Sequence, residues 1–295
     1  MGTRGGGQHG YLDTGCEHSL TGHNETNGLP MSRAFSDTYS TSTESQTEFG
    51  NRLLDSLPAE ACIALRPHLR IETLAVQDVL AESGGRAEQA YFPIDCVASL
   101  VTVMRDGSGV EVGLIGCDGM LPVSIVLGDA VPAQRTIVLV AGTALAINLN
   151  SLRRLMDAHP AIGRMLLCYA QATLNQAAQL AACNRLHLLE ERCARWLLMA
   201  HDRVRRNDIH VTHEMLATTL GVRRPGVTVA AQALQAKGSI AYRHGTVFVL
   251  DRKLLEAAAC ECYAAITADY ARLIGEPALS FRPVVRNRTD RGREA

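Results

Sequence analysis

The sequence predicts an α+β fold: an antiparallel β-roll, then one long helix, then a compact helical unit closed by a hairpin. Three observations carry that expectation. Up to about Leu149, apolar residues alternate in short runs between turn residues, the period of strands. After His159-Pro160 the apolar spacing lengthens to three and four and stays so to about Arg192, which predicts a helix. Near the C-terminus two short helical patterns lead directly into two alternating runs.

Composition frames these elements. A chain of 295 residues can build two cores, and 47% hydrophobic with 20% charged residues is ordinary for a globular protein. Only 4% is aromatic, so Leu, Val, Ile and Ala must fill the interior. The net charge of -1 carries no nucleic-acid signature, but its distribution does. Glu190 to Glu256 holds eleven Lys/Arg against seven Asp/Glu, whereas Met1 to Gly50 holds two against six. No apolar run approaches the roughly 18 residues of a membrane span, and no apolar stretch follows a basic start. A cytoplasmic protein without a membrane partner is expected. The cysteines are Cys16, Cys62, Cys96, Cys117, Cys168, Cys183, Cys193, Cys260 and Cys262, an odd number with no Cys-x-x-Cys pair. They read as reduced thiols, mostly small core residues. Cys260-Glu261-Cys262 offers two close thiols for metal or oxidant chemistry, but close thiols are usually structural, and no metal site is expected.

Residues 1–48 are rich in Gly, Ser, Thr, Asn and His and read as a disordered tail. They hold His9, Cys16, His18 and His23, and Met31 is an alternative start. Residues 49–159 form the β-roll. Arg52-Leu53-Leu54 and Ala61 to Leu69 predict short helices broken by Pro58 and Pro67. Strands follow: Asp78 to Glu82 ends at Gly84-Gly85, and Val97 to Met104 and Val110 to Ile115 flank the turn Asp106-Gly107-Ser108-Gly109. Arg135 to Val140 and Thr143 to Leu149 flank Ala141-Gly142 and read as a second hairpin.

Residues 160–192 read as a dimerisation helix. Leu167, Ala170, Leu174, Ala177, Ala181, Asn184 and Leu188 step by three and four as a coiled-coil seam. The alanines permit close approach, and Asn184 is placed to set register. Ile162, Met165, Tyr169 and Ala172 form a second stripe suited to packing on the β-roll. A buried helix within a monomer is the alternative.

Residues 193–263 carry the functional motif. Between His213 and Gln232, Ala217 supplies a small residue where two helices cross, Gly221 permits a left-handed turn, and Val227 fills the angle between them. Leu216, Leu220, Ala230, Ala231 and Leu234 complete the core. Thr212 is placed to cap the first helix, and Pro225 sits in the first turn of the second. Arg224, Thr228 and Gln232, four apart, share the solvent face. Arg reads guanine edges, Gln reads adenine, and Arg223 is suited to a phosphate. Ile240 to Arg243 and Thr246 to Leu250, joined by His244-Gly245, form a wing whose tip offers Arg243 and His244 to the DNA backbone. Residues 264–295 read as the end of a C-terminal helix and a flexible tail.

From about Asn51 to Tyr263 this order of parts resembles the Crp/Fnr family of bacterial transcription regulators. Tyr91-Phe92-Pro93, Asp106-Gly107, Val110-Glu111-Val112-Gly113 and the winged helix-turn-helix carry the likeness. It implies a cyclic-nucleotide-binding-like β-roll, a homodimer on a pseudo-palindromic double-stranded DNA site, and contact with RNA polymerase. It also places Arg135-Thr136 near a phosphate of some small-molecule effector. Gly119 is followed by Met120 where nucleotide-binding members carry the ribose carboxylate, so cyclic AMP is not expected. One cysteine before Cys62 is too few for an N-terminal iron–sulfur cluster. Arg224-Pro225-Gly226-Val227-Thr228-Val229 lacks the family's Arg-Glu-x-x-x-Arg face, so a different target sequence is expected.

No phosphate-cradling Gly-Lys loop, His-Glu-x-x-His pair or Gly-x-Ser-x-Gly elbow is present. No catalytic residue or cofactor is assigned, and His210 and His213 read as surface or capping residues. The rival reading is a sensor whose winged helix binds a protein.

Overall fold

The computed structural model describes residues 49–275. The tail with its histidines, Cys16 and Met31 therefore lies outside the described residues, as does everything after Gly275. Among the described residues no helix is long and apolar enough to cross a membrane.

The chain enters through α1 (Arg52–Asp55) and α2 (Ala59–Leu65), with Arg66–His68 as a 3-10 turn around Pro67. Asn51 starts α1: its side-chain oxygen accepts from the N–H of Leu53 and Leu54 at 3.1 and 3.2 Å. Its Nδ2, fully buried, donates to the carbonyls of Pro93 and Gly119 and so ties this entry to the roll.

The roll consists of β1 (Arg70–Leu74), β2 (Val79–Ala81), β3 (Gln89–Pro93), β4 (Val97–Val103), β5 (Gly109–Ile115), β6 (Arg135–Val140) and β7 (Gly142–Asn148). They form two antiparallel sheets in the orders β1-β7-β3 and β2-β6-β4-β5. The β4–β5 hairpin forms as expected, with Gly107 at φ +82° and Asp106 Oδ1 accepting from the Ser108 N–H and hydroxyl. The hairpin expected at Ala141-Gly142 does not form. β6 pairs with β2 and β4, whereas β7 pairs with β1 and β3, so the chain changes sheet there. Asp95 enforces the corner: its Oδ1 accepts from the Thr143 N–H and hydroxyl and would lie 2.6 Å from any Cβ at position 142.

Three helices follow: α3 (Leu149–Ala158), α4 (Pro160–Leu186) and α5 (Leu189–Val204). The helix expected to run to Arg192 stops at Leu186, since His187 and Leu188 are extended. Glu191 stabilises the restart, its carboxylate accepting from the Leu188 N–H at 2.9 Å. The second apolar stripe of α4 packs inward as expected, with Ile162, Tyr169 and Ala172 buried. Tyr169 donates its hydroxyl to the carbonyl of Met120, itself fully buried in the roll.

α5 is buried on almost every side from Arg192 to Val204. It meets the roll through two polar links. Trp196 Nε1 donates to Glu111 Oε1 at 3.0 Å, and Arg203 pairs with Asp118 at 2.8 Å with both side chains largely buried. The remaining elements are β8 (Asp208–His210), α6 (His213–Leu220), α7 (Arg224–Ala236), β9 (Ile240–Arg243), β10 (Thr246–Val249), α8 (Arg252–Ala258) and α9 (Cys262–Ile274). α9 turns back to pack on α4, burying Cys262, Ile266 and Tyr270.

Burial pushes the Glu111 carboxyl up to about 7, against the opposing pull of Ser99, Arg195, Trp196 and Arg203. The folded state therefore holds its proton more tightly than the unfolded chain does. The associated stability is complete below the unfolded pKa of about 4.5 and is lost as pH rises through about 7. Denaturant unfolding should show stability declining from pH 5 to pH 8 (roughly the window this shift sets), and Glu111→Gln should flatten that slope. An unchanged slope in the variant would assign it to other groups.

Candidate nucleic-acid interface

The crossing of α6 and α7 is built as the residue pattern requires. Thr212 caps α6, its Oγ1 accepting from the Met215 N–H at 3.2 Å. Leu216, Ala217, Leu220, Val227, Ala230, Ala231 and Leu234 are all buried beneath the crossing. Gly221 ends α6 at φ +64°, and a Cβ there would meet Val110 of β5 at 3.0 Å. Only glycine satisfies both the backbone and that close approach. Pro225 lies in the first turn of α7, where it breaks no hydrogen bond.

The wing is a three-stranded antiparallel sheet in the order β8-β10-β9. Its third strand, β8, is too short and polar to have been expected. His244 (φ +49°) and Gly245 (φ +79°) turn the β9–β10 hairpin with two left-handed residues, the geometry that best matches strand twist.

The predicted contact residues fall into two groups. Arg223 just before α7, Arg224 and Gln232 on α7, and Arg243 and His244 on the wing are exposed. Thr228 is half-buried, and its hydroxyl is engaged within the chain: it donates to the Arg224 carbonyl and lies 3.1 Å from His213 Nδ1.

His213, which the sequence presents as a surface or capping residue, has a structural role of another kind. Besides meeting Thr228, its ring stacks on Tyr242 of β9 with centroids 4.2 Å apart. Gln235 Oε1 accepts from the Tyr242 N–H at 3.0 Å, so α6, α7 and the wing are locked as one surface. Burial and the nearby charge of Arg224 hold His213 below the usual histidine range, which favours the neutral ring facing Thr228.

A family model, the Crp-like helix-turn-helix domain, matches residues 191–258. That stretch is a Crp-like helix-turn-helix domain. Comparison with solved structures extends the likeness to the roll. A transcriptional regulator of the Crp/Fnr family from Eubacterium rectale superposes with TM-score 0.55 at 15% identity, covering 72% of this chain and 99% of that one. FixK2 from Bradyrhizobium japonicum gives TM-score 0.56 at 13% identity, with 65% and 98% covered. A Crp-family regulator from Thermus thermophilus gives 0.53 at 20% identity, with 64% and 96% covered. The chain thus has the fold of these Crp/Fnr regulators, with an antiparallel roll ahead of the Crp-like domain. Comparison with curated protein sequences returns no match.

Within that roll, Arg135 pairs with Glu82 at 3.4 Å and Thr136 is fully buried. A shallow cleft lined by Val79, Glu82, Gly85, Arg86, Glu88 and Tyr91 includes neither residue of the Arg135-Thr136 pair.

Of the seven expected seam residues, Leu167, Leu174 and Ala181 form an exposed row on α4, seven apart. Ala170 is buried and Ala177 half-buried within the chain. Asn184 accepts from Arg192 at 2.9 Å, and Leu188 lies past the end of α4.

Gly221→Ala should lower stability by about 1–2 kcal/mol, the cost of a left-handed backbone for a residue with a Cβ. Chemical denaturation measures it directly, and a change near zero would show that the turn relaxes away from Val110.

Proposed function

We propose that the chain is a sequence-specific DNA-binding transcription regulator of the Crp/Fnr type, acting as a homodimer on a pseudo-palindromic site. The observation that carries this reading is the exposed edge of α7. Arg223, Arg224 and Gln232 stand free in solvent over a fully closed helix-turn-helix core, inside a Crp-like domain. Arg224 is placed to read a guanine edge and Gln232 an adenine, while Arg223, Arg243 and His244 neutralise or meet phosphates. The half-buried Thr228 offers its methyl group, since its hydroxyl is taken.

The exposed row Leu167, Leu174 and Ala181 supports the dimer. Two leucines left more than half exposed on one helix face, seven apart, match the seam by which such a helix meets its copy. The two recognition helices would then enter successive major grooves roughly 34 Å apart. RNA polymerase enters this reading as the partner of a promoter-bound regulator. The effector stays unassigned. Arg135 is held by Glu82 and Thr136 is buried, so the pair offers little to a cyclic phosphate.

Arg224→Ala should weaken binding to the chain's own selected site by about 1–3 kcal/mol and relax preference at one base position. Competition binding against single-base variants of that site measures both. Equal loss on every sequence would make Arg224 a phosphate contact and move the reading role elsewhere on α7.

A further inference from the structure

Cys183 and His187 lie at the C-terminal end of α4, while Cys260 and Cys262 flank the junction of α8 and α9. The fold brings these two pairs together. One donor atom from each of the four lies within 4.8 Å of every other. Cys183 Sγ and Cys260 Sγ are 3.5 Å apart, and Cys262 Sγ is 3.4 Å from His187 Nδ1. All three cysteines are buried and form a cluster of their own beside the main core.

We propose that Cys183, His187, Cys260 and Cys262 form a tetrahedral Cys3His site for a single zinc-type divalent cation, which clamps the end of α4 to the α8–α9 junction. A tetrahedral ion with bonds of about 2.3 Å to sulfur separates its ligand atoms by about 3.8 Å, close to the spacings found here. An iron–sulfur cluster interposes its own sulfides and would hold the thiolates farther apart.

The surroundings suit a metal rather than four idle side chains. The far nitrogen of His187, Nε2, lies 4.0 Å from Glu261 Oε1. That is too long for a hydrogen bond, but it leaves Glu261 near the side of the ring away from Nδ1, where an outer carboxylate commonly orients a ligating histidine. Gln179 Nε2 points at Cys262 Sγ from 3.1 Å, a donor suited to a thiolate. Charge agrees as well. Three thiolates, a neutral imidazole and a divalent ion leave one net negative charge. Arg195, only 3% exposed, lies within electrostatic reach of both Cys183 and Glu111. A net-negative centre adds to the counter-charge that Glu111 offers this buried guanidinium.

The clamp spans the extended His187-Leu188 link through which α4 leads into α5 and the Crp-like domain. An occupied site would therefore fix how that domain leaves α4. The effect of this on DNA binding rests on the function proposed above, but the site itself does not.

The test is titration of the reduced, metal-stripped full chain with cobalt(II) as a spectroscopic probe, followed by zinc. One cobalt per chain is expected, with the ligand-field bands of tetrahedral geometry and a thiolate charge-transfer band, both erased by one equivalent of zinc. Zinc should also raise the thermal midpoint in a concentration-dependent way. Cys183→Ser and Cys260→Ser should each weaken cobalt binding by about a hundredfold or more, at least the loss seen for outer-shell changes. Cys168→Ser, a thiol outside the cluster, should leave it unchanged. Should the ligand variants fail to fold, the spectrum of the unaltered chain decides alone. A reduced chain whose cobalt stays octahedral and weakly held overturns the proposal. So does a Cys183–Cys260 disulfide that, once reduced, leaves the three thiols and His187 taking up no metal.

Discussion

Arg203 and Asp118 meet at 2.8 Å where little water reaches, and the placement of the whole C-terminal half depends on that meeting. A guanidinium on a buried helix is costly to desolvate, and the carboxylate of Asp118 on the roll offsets that cost for Arg203. Arg203 also donates to the carbonyl of Met199, which satisfies a second face of the group. Trp196 supplies apolar area on the same side of α5, and its single N–H is answered by Glu111 of β5. Arg192, at the other end of α5, donates to the carbonyl of Leu220 at the close of α6. One helix thereby carries the roll on one flank and the helix-turn-helix on the other.

This arrangement gives the roll a direct contact route to the helix-turn-helix. The turn between α6 and α7 rests on Val110 of β5 through Gly221, and Glu111, the next residue, holds Trp196. A change in the position or charge of β5 would be felt at both contacts. The proposed metal clamp lies at the other end of the same construction, where α4 gives way to α5. Under the proposed function, either would bias how α7 is presented.

Much of this was legible in the sequence, for identifiable reasons. The helix-turn-helix declared itself because its constraints are local: Ala217, Gly221 and Val227 are tied by a few residues of spacing, and each has one steric task. The β4–β5 hairpin was legible for the same reason, through Asp106-Gly107. Features set by distant partners were not. Leu188 falls on the heptad of α4, so the pattern runs straight across the break; the cue was Glu191, three residues on and able to cap a new start. Ala141-Gly142 looks like a hairpin turn, but the partner that bends the chain there is Asp95, far back in sequence. The exposed row on α4 was half legible: Leu167 and Leu174 face out, yet the burial of Ala170 and the capture of Asn184 by Arg192 depend on elements packed later. The four-ligand cluster was least visible. Cys260 and Cys262 stood out as a close pair, but Cys183 and His187 join them only because α9 folds back onto α4.

The central claim is that two copies of this chain read DNA symmetrically, and selection from a random-sequence duplex pool at physiological salt tests it most directly. Enrichment of a two-fold symmetric motif with half-sites about one helical turn apart is the predicted result. Recovery of no motif, together with no salt-dependent affinity for any duplex, would contradict it and assign the exposed face of α7 to a protein partner.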